Sequence, residues 1–254
     1  MSYPPRRIAT FVFVALIAAD PAPAQSAVSP KRFVIVHGAW GGGWDWRGID
    51  SILTRQGHSV DRVTLTGLGD RAHLASPAIG LETHITDVVN AIEFEKLNDV
   101  VLLGHSYGGM VITGVAERIP QRIRHLVYVD AFLPENGESV QKLADDGFAS
   151  MVTNMERNGM LVPPWASDTM PRPKDVPHPL KTFTDTLVLV SAAARAIPGT
   201  YILTIDRGAT GDGFARYAQR AAERKWRVHR MENTDHVPER SAPDALASLL
   251  RQVP

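Results

Sequence analysis

The chain of 254 residues contains no cysteine. That excludes disulfides, a thiolate nucleophile and any Cys-ligated metal. It does not argue against export, because a chain of this length can bury a full core without cross-links. It also lacks an excess of charge of either sign: 27 Lys plus Arg stand against 27 Asp plus Glu. A nucleic-acid binder would usually show a basic surplus. Internal repeats and low-complexity runs are absent too, and no apolar stretch reaches the roughly 20 residues a bilayer-spanning helix needs. Hydrophobic residues at 44% and charged residues at 21% are those of an ordinary globular domain.

The longest apolar run lies at the start. Arg6 and Arg7 precede twelve largely apolar residues, Ile8 to Ala19. Ala22-Pro23-Ala24 then fits the small-x-small pattern of a signal-peptidase site. Residues 1–24 read as a secretory signal cleaved after Ala24. The expectation is a mature protein beginning at Gln25, in a periplasm or outside the cell, with no stable membrane insertion once the signal is gone.

Residues 25–254 read as a single α/β domain. Phe33–Val36, Val100–Leu103, Leu126–Val129 and Tyr201–Ile205 are continuous apolar runs, each ending at Gly, Asp or a Gly-rich loop. Runs of this kind indicate strands of a parallel sheet covered on both faces. Val60 to Leu65 is a weaker strand. Between them lie helical periods: Ile49, Ile52 and Leu53 before Gly57, then Ile85, Val88, Val89 and Ile92 with Thr83 as N-cap. Near the end, Leu246, Leu249 and Leu250 follow Ser241 as N-cap and Pro243. The alternation predicts a doubly wound, mostly parallel sheet. The stretch from about 134 to 182 breaks the rhythm with seven prolines, four methionines, Phe148 and Trp165. It reads as a lid inserted over the carboxyl edge of the strands, where ligands bind in such folds.

Gly104-His105-Ser106-Tyr107-Gly108 follows a strand and opens a helix. Gly-x-Ser-x-Gly in that setting is a nucleophile elbow, a turn so tight that side chains at the two Gly positions would clash. Ser106 needs a base. Of the nine histidines, His236 follows the strand-like Trp226–Met231 and precedes the last helix, where chain order puts the base. His105 would point away from the hydroxyl, and His37 braces the loop after the first strand. The acid that orients the base is Asp206 by chain order, with Asp130 as the alternative; both end strands. The loop His37-Gly38-Ala39-Trp40-Gly41-Gly42-Gly43 offers backbone N–H groups. Ala39 and Tyr107 are the expected oxyanion donors, and Trp40 and Trp165 the expected substrate-pocket residues. Neither Gly-x-Gly-x-x-Gly nor Gly-Lys-Ser/Thr occurs, so a dinucleotide or P-loop reading is poor. No metal or organic cofactor is called for.

The segments HGAWGGGWDW, TLTGLGDRAHL, GHSYGGMVITGVAERIP, VYVDAFLPENGES and TDHVPERSAPDAL resemble one branch of the α/β-hydrolase superfamily. That branch holds bacterial carboxylesterases similar to plant methyl esterases and hydroxynitrile lyases. The resemblance runs from about Phe33 to the C-terminus. It implies an α/β-hydrolase fold and a Ser106–Asp206–His236 triad, and the expected reaction is cleavage of carboxylic esters of small to medium apolar substrates through an acyl-enzyme. The lyases of the group carry Thr where this chain has Gly38 and Lys where it has Val237, so ester cleavage is expected over cyanohydrin cleavage. A hydroxynitrile lyase-like enzyme and a hydrolase-derived small-ligand binding protein are the alternatives.

Overall fold

The computed structural model describes Met1, residues 29–208 and residues 213–254. The expected signal, residues 1–24, and its cleavage site lie outside the described residues. So does Asp212.

Strand β1 (Arg32–Val36) leads through a 3₁₀ turn into α1 (Arg47–Arg55) and β2 (Ser59–Val63). Then follow α2 (Leu81–Phe94), β3 (Val100–His105), α3 (Gly108–Arg118) and β4 (Ile123–Val129). The insert comes next and runs beyond the expected end at about 182, up to the strand that begins at Gly199. It carries α4 (Val140–Leu143), α5 (Asp146–Met155), the short strands β5 (Glu156–Arg157), β6 (Met160–Leu161) and β7 (His178–Pro179), and the single-turn helices α6 (Lys181–Thr184) and α7 (Ala192–Arg195). The domain closes with β8 (Gly199–Ile205), α8 (Ala215–Glu223), β9 (Arg227–Glu232), α9 (Pro238–Ser241) and α10 (Pro243–Arg251).

The main sheet has the order β2-β1-β3-β4-β8-β9, and every pairing in it is parallel. Alternate residues of each central strand face opposite layers, as a pleated strand requires. Val34, Val36, Leu102 and Tyr128 pack with α2, α3 and α8. Phe33, Ile35, Val101, Leu103 and Val127 pack with Ile49 and Leu53 of α1 and Leu246 and Leu250 of α10. All six residues of β3 are buried, which is why it reads as an uninterrupted apolar run.

Strand order reverses at β1, which is flanked by β2 on one side and β3 on the other. A crevice opens at such a reversal, beyond the strands' carboxyl ends. Val36 pairs with Gly104, so the loop that begins at His37 leaves the sheet beside the turn at Ser106. The insert covers this edge. Val176 N–H donates to Trp40 O (2.9 Å), Trp40 Nε1–H donates to Leu161 O (3.0 Å), and the Phe183 ring stacks on Tyr107 at 5.5 Å.

Two helix starts differ from expectation. Helix α2 begins at Leu81 with Gly80 as N-cap, not at Thr83. The Asp185 carboxylate reaches over from the insert and accepts from Leu81 N–H at 3.1 Å, so the cap comes from another part of the chain. Ser241 ends α9 rather than capping α10, whose N-cap is Ala242. Its hydroxyl donates instead to Asp235 Oδ1 at 2.8 Å, tying down the loop that carries His236.

Candidate active site

Ser106 has φ +52°, in the left-handed region that non-glycine residues rarely occupy. The neighbours make this turn possible. A Cβ built at Gly104 would lie 2.6 Å from Gly108 O, and one built at Gly108 would lie 2.6 Å from Val36 O. Only glycine fits at either position. The turn is pinned from the next strand: Ser106 N–H donates to Val129 O (3.2 Å) and Phe132 N–H donates to Ser106 O (3.1 Å). Such surrounding bonds are what allow a strained conformation to persist.

His236 Nε2 lies 2.9 Å from Ser106 Oγ, and His236 Nδ1 lies 2.6 Å from Asp130 Oδ2. Asp130 is 2% exposed. Its other oxygen accepts from Thr204 N–H at 3.1 Å, and its own N–H donates to Ile202 O at 2.8 Å. A buried carboxylate accepting from both the base and a backbone amide holds the imidazole with its proton on Nδ1. That leaves the Nε2 lone pair for the serine. The ring of Phe214 stacks on His236 at 4.9 Å and fixes its plane from the other side.

The expected acid, Asp206, is not at the site. It is exposed, and its Oδ1 accepts from Arg207 N–H at 2.8 Å in its own turn. The carboxylate against His236 is Asp130, the alternative. The reason is geometric. Asp130 ends β4, which is hydrogen-bonded to the nucleophile's strand β3, whereas Asp206 follows β8, one strand further away. Asp130 also has φ +43°, and this turn brings its carboxylate against His236. Both acids lie between Ser106 and His236 in the chain, so chain order does not separate them.

The loop after β1 runs against the nucleophile, because a Cβ built at Gly38 would lie 3.3 Å from Ser106 Cβ. His37 braces it as expected. Its Nδ1–H donates to Gly38 O at 2.7 Å, and its Nε2 accepts from Leu65 N–H at 3.1 Å. Burial pushes the His37 pKa down to about 4, so the ring is neutral and can play both roles. Trp40 is buried, with φ +64°, and packs against Phe183 and His178 beneath the insert. Trp165 is 48% exposed, packs edge-on to Trp40 at 5.3 Å, and its Nε1–H donates to Asp175 Oδ2 at 2.8 Å. It backs Trp40 from the insert.

Tyr107 anchors the elbow from below. Burial pushes its phenol well up, so it stays protonated; its hydroxyl lies 2.9 Å from His84 Nδ1, and His84 Nε2 lies 2.9 Å from Thr66 O. Phe214, the ring of Phe132 edge-on to it at 5.2 Å, and Phe148 beyond, 5.9 Å from Phe132, could not be tied to Ser106 from the sequence, because no spacing rule relates them to it. Of the three only Phe214, just before α8, stacks on the base; the other two extend the aromatic row away from it toward α5.

The fold and this serine–histidine–aspartate geometry define a protein of the α/β-hydrolase class. The chain belongs to the Alpha/beta hydrolase family, whose profile matches residues 33–249. It is 59% identical over 112 residues to a carbendazim hydrolyzing esterase of Nocardioides sp. (strain SG-4G), covering 44% of this chain and 46% of that one. It is 25% identical over 250 residues to putative methylesterase 15, chloroplastic, of Arabidopsis thaliana, covering 88% of this chain and 56% of that one. The chain thus spans about half the length of these curated relatives. Among solved structures, an extracellular α/β-hydrolase from a Paenibacillus species superposes with a TM-score of 0.75 at 23% identity, covering 88% of this chain and 98% of that one. A pyrethroid hydrolase from Sphingobium faniae JZ-2 superposes with a TM-score of 0.65 at 21% identity, covering 88% and 97%. At such identities the likeness speaks for the fold.

Proposed function

We propose that the protein is a serine hydrolase that cleaves carboxylic esters of small to medium apolar substrates through an acyl-enzyme. The observation that carries this reading is the unbroken run from Ser106 Oγ to His236 to Asp130, at 2.9 and 2.6 Å, set on a strained elbow. His236 Nε2 takes the hydroxyl proton as Ser106 Oγ attacks the ester carbonyl. The imidazolium that forms is stabilised by Asp130. The N–H groups of Ala39 and Tyr107 receive the oxyanion, and the N-terminus of α3 adds its partial positive charge. His236 then protonates the departing alcohol. Water, deprotonated by the same nitrogen, hydrolyses the acyl-enzyme and restores the serine. The chain's own side chains supply every proton transfer.

An apolar substrate is supported by the row of aromatic rings that starts at Phe214 on His236 and continues through Phe132 to Phe148. Relatives named as esterases and methylesterases support the reaction class. The lyase alternative lacks support at two positions. Val237 gives no cation to stabilise a departing cyanide. At residue 38, a Cβ would already lie 2.9 Å from His105 Nδ1, leaving no room for a β-branched threonine. A panel of p-nitrophenyl esters of increasing acyl length, with mandelonitrile assayed beside it, tests the proposal. Turnover of the short and medium esters with negligible cyanide release is expected. Cyanide release rivalling ester turnover would favour the lyase, and binding without turnover would favour a ligand-binding protein.

We also propose that the protein is exported, on the Arg6-Arg7, Ile8–Ala19 and Ala22-Pro23-Ala24 pattern. Among the described residues no helix is long and apolar enough to cross a membrane. N-terminal sequencing of the protein recovered from periplasm or medium should begin at Gln25; intact chain held in the membrane fraction would contradict cleavage.

A further inference from the structure

A buried carboxyl and a buried imidazole lie behind the base, and the reaction as written uses neither. His105 ends β3 and Glu239 sits in α9; their side chains are 6% and 2% exposed. His105 Nδ1 lies 3.4 Å from Glu239 Oε1. On its other edge, His105 Nε2 lies 2.7 Å from the backbone oxygen of His236. One ring therefore stands between α9 and the main chain of the base, next in sequence to the nucleophile.

The protonation of this cluster follows from what each partner can do. The carbonyl of His236 can only accept, so Nε2 of His105 carries a proton. In a neutral ring Nδ1 is then a lone pair, and it faces a carboxyl oxygen. Two lone pairs facing each other between side chains this deeply buried repel, so a further proton is placed between them. Burial favours placing it on the carboxyl. It pushes Glu239 up to about 8, with the charges of Asp45 and Asp235 acting in the same direction and Arg240 opposing, and it pushes His105 well below the usual imidazole range, with His236, Arg240 and His37 adding to that. His105 Nδ1 and Glu239 Oε2 are both buried with no hydrogen-bond partner among the described residues, the 3.4 Å approach of Nδ1 to Oε1 being longer than a formed hydrogen bond; an orphaned oxygen is far less costly for a neutral acid than for a carboxylate.

We propose that Glu239 and His105 form a positioning pair holding one shared proton, and that this proton keeps His105 Nε2–H aimed at the His236 carbonyl and so holds the base in reach of Ser106. The inference rests on the reading of Ser106 and His236 as nucleophile and base. Removing the proton leaves a carboxylate facing Nδ1. The ring then moves its remaining proton to Nδ1, Nε2 becomes a lone pair, and the tie to the His236 backbone is lost. Glu239 is thus a residue that acts on the reaction through His105 and the His236 loop without touching substrate.

Two substitutions separate this role from packing. In Glu239→Gln the amide N–H donates to Nδ1 at every pH; in Glu239→Met the volume is kept and the donor is lost. With p-nitrophenyl acetate, between roughly pH 6 and 9, the Met variant should lose about tenfold in kcat with little change in KM, the effect of one lost hydrogen bond. The Gln variant should restore most of that loss. It should also lack the fall in kcat that wild type shows as pH rises through about 8. Superimposable pH profiles for wild type and Gln variant, or wild-type kcat in the Met variant, would overturn the proposal. Thermal unfolding gives a readout independent of catalysis. A carboxyl whose folded pKa is raised binds more protons folded than unfolded, so its contribution to stability falls as pH rises from its ordinary range toward about 8. The Tm of wild type should therefore fall relative to the Gln variant across that window. If wild type turns over no ester, the reading of the site fails while the melting comparison still judges the pair: a Tm difference that does not change with pH overturns it.

Discussion

Ser106→Ala should remove ester hydrolysis almost entirely, with a loss in kcat on the order of 10⁴- to 10⁶-fold. The size follows from what the hydroxyl does. It forms the bond to the acyl carbon, and its oxygen sits 2.9 Å from the nitrogen that removes its proton. Nothing else described at the elbow can replace it, and the residual rate is what the oxyanion donors and binding alone provide. The fold should survive. Alanine has a Cβ like serine, so the φ of +52° costs about the same, and the backbone bonds to Val129 and Phe132 remain. A fluorophosphonate probe should label wild type at Ser106 and leave the Ala variant unlabelled. Mass spectrometry placing the adduct on another serine would remove Ser106 from the site.

Much of this was legible in the sequence where the signal was local. The strands β1, β3, β4 and β8 read directly because burial on both faces demands unbroken apolar runs. Ser106 read from its glycines, and His236 from its position before the last helices. What failed to read was set by partners far apart in the chain. Asp185 caps α2 from 104 residues beyond Leu81, so Thr83 was the best local choice and the wrong one. Ser241 has a capping side chain, but Asp235 on the loop before it takes the hydroxyl. Glu239 had no signal at all, because a glutamate in a four-residue helix is ordinarily exposed. Its burial follows from the approach of α9 to the end of β3.

The acid shows the same limit with the largest functional consequence: Asp130→Asn should lower kcat by about 10⁴-fold, as the equivalent change does in a serine protease, while Asp206→Asn should stay near wild type. Asp130 accepts two hydrogen bonds in a buried place, one from Thr204 N–H at 3.1 Å and one from His236 Nδ1–H at 2.6 Å. Asparagine can accept at only one of the two positions. If its amide nitrogen faces Thr204, two donors meet and a buried backbone N–H loses its partner, which costs about 1–3 kcal/mol. If it faces His236 instead, it donates to Nδ1, and the imidazole can satisfy it by moving its proton to Nε2. The second arrangement leaves every group paired and is preferred. It is also the inactive one, because a protonated Nε2 cannot take the proton of Ser106. Asp206, exposed and, among the described residues, accepting from the N–H of Arg207 in its own turn, has no such lever on the base. Measuring kcat for both variants, with circular dichroism to confirm folding, decides between the two carboxylates. A dead Asp206→Asn beside an active Asp130→Asn would move the acid to the strand beyond β4 and overturn the geometry on which the mechanism stands.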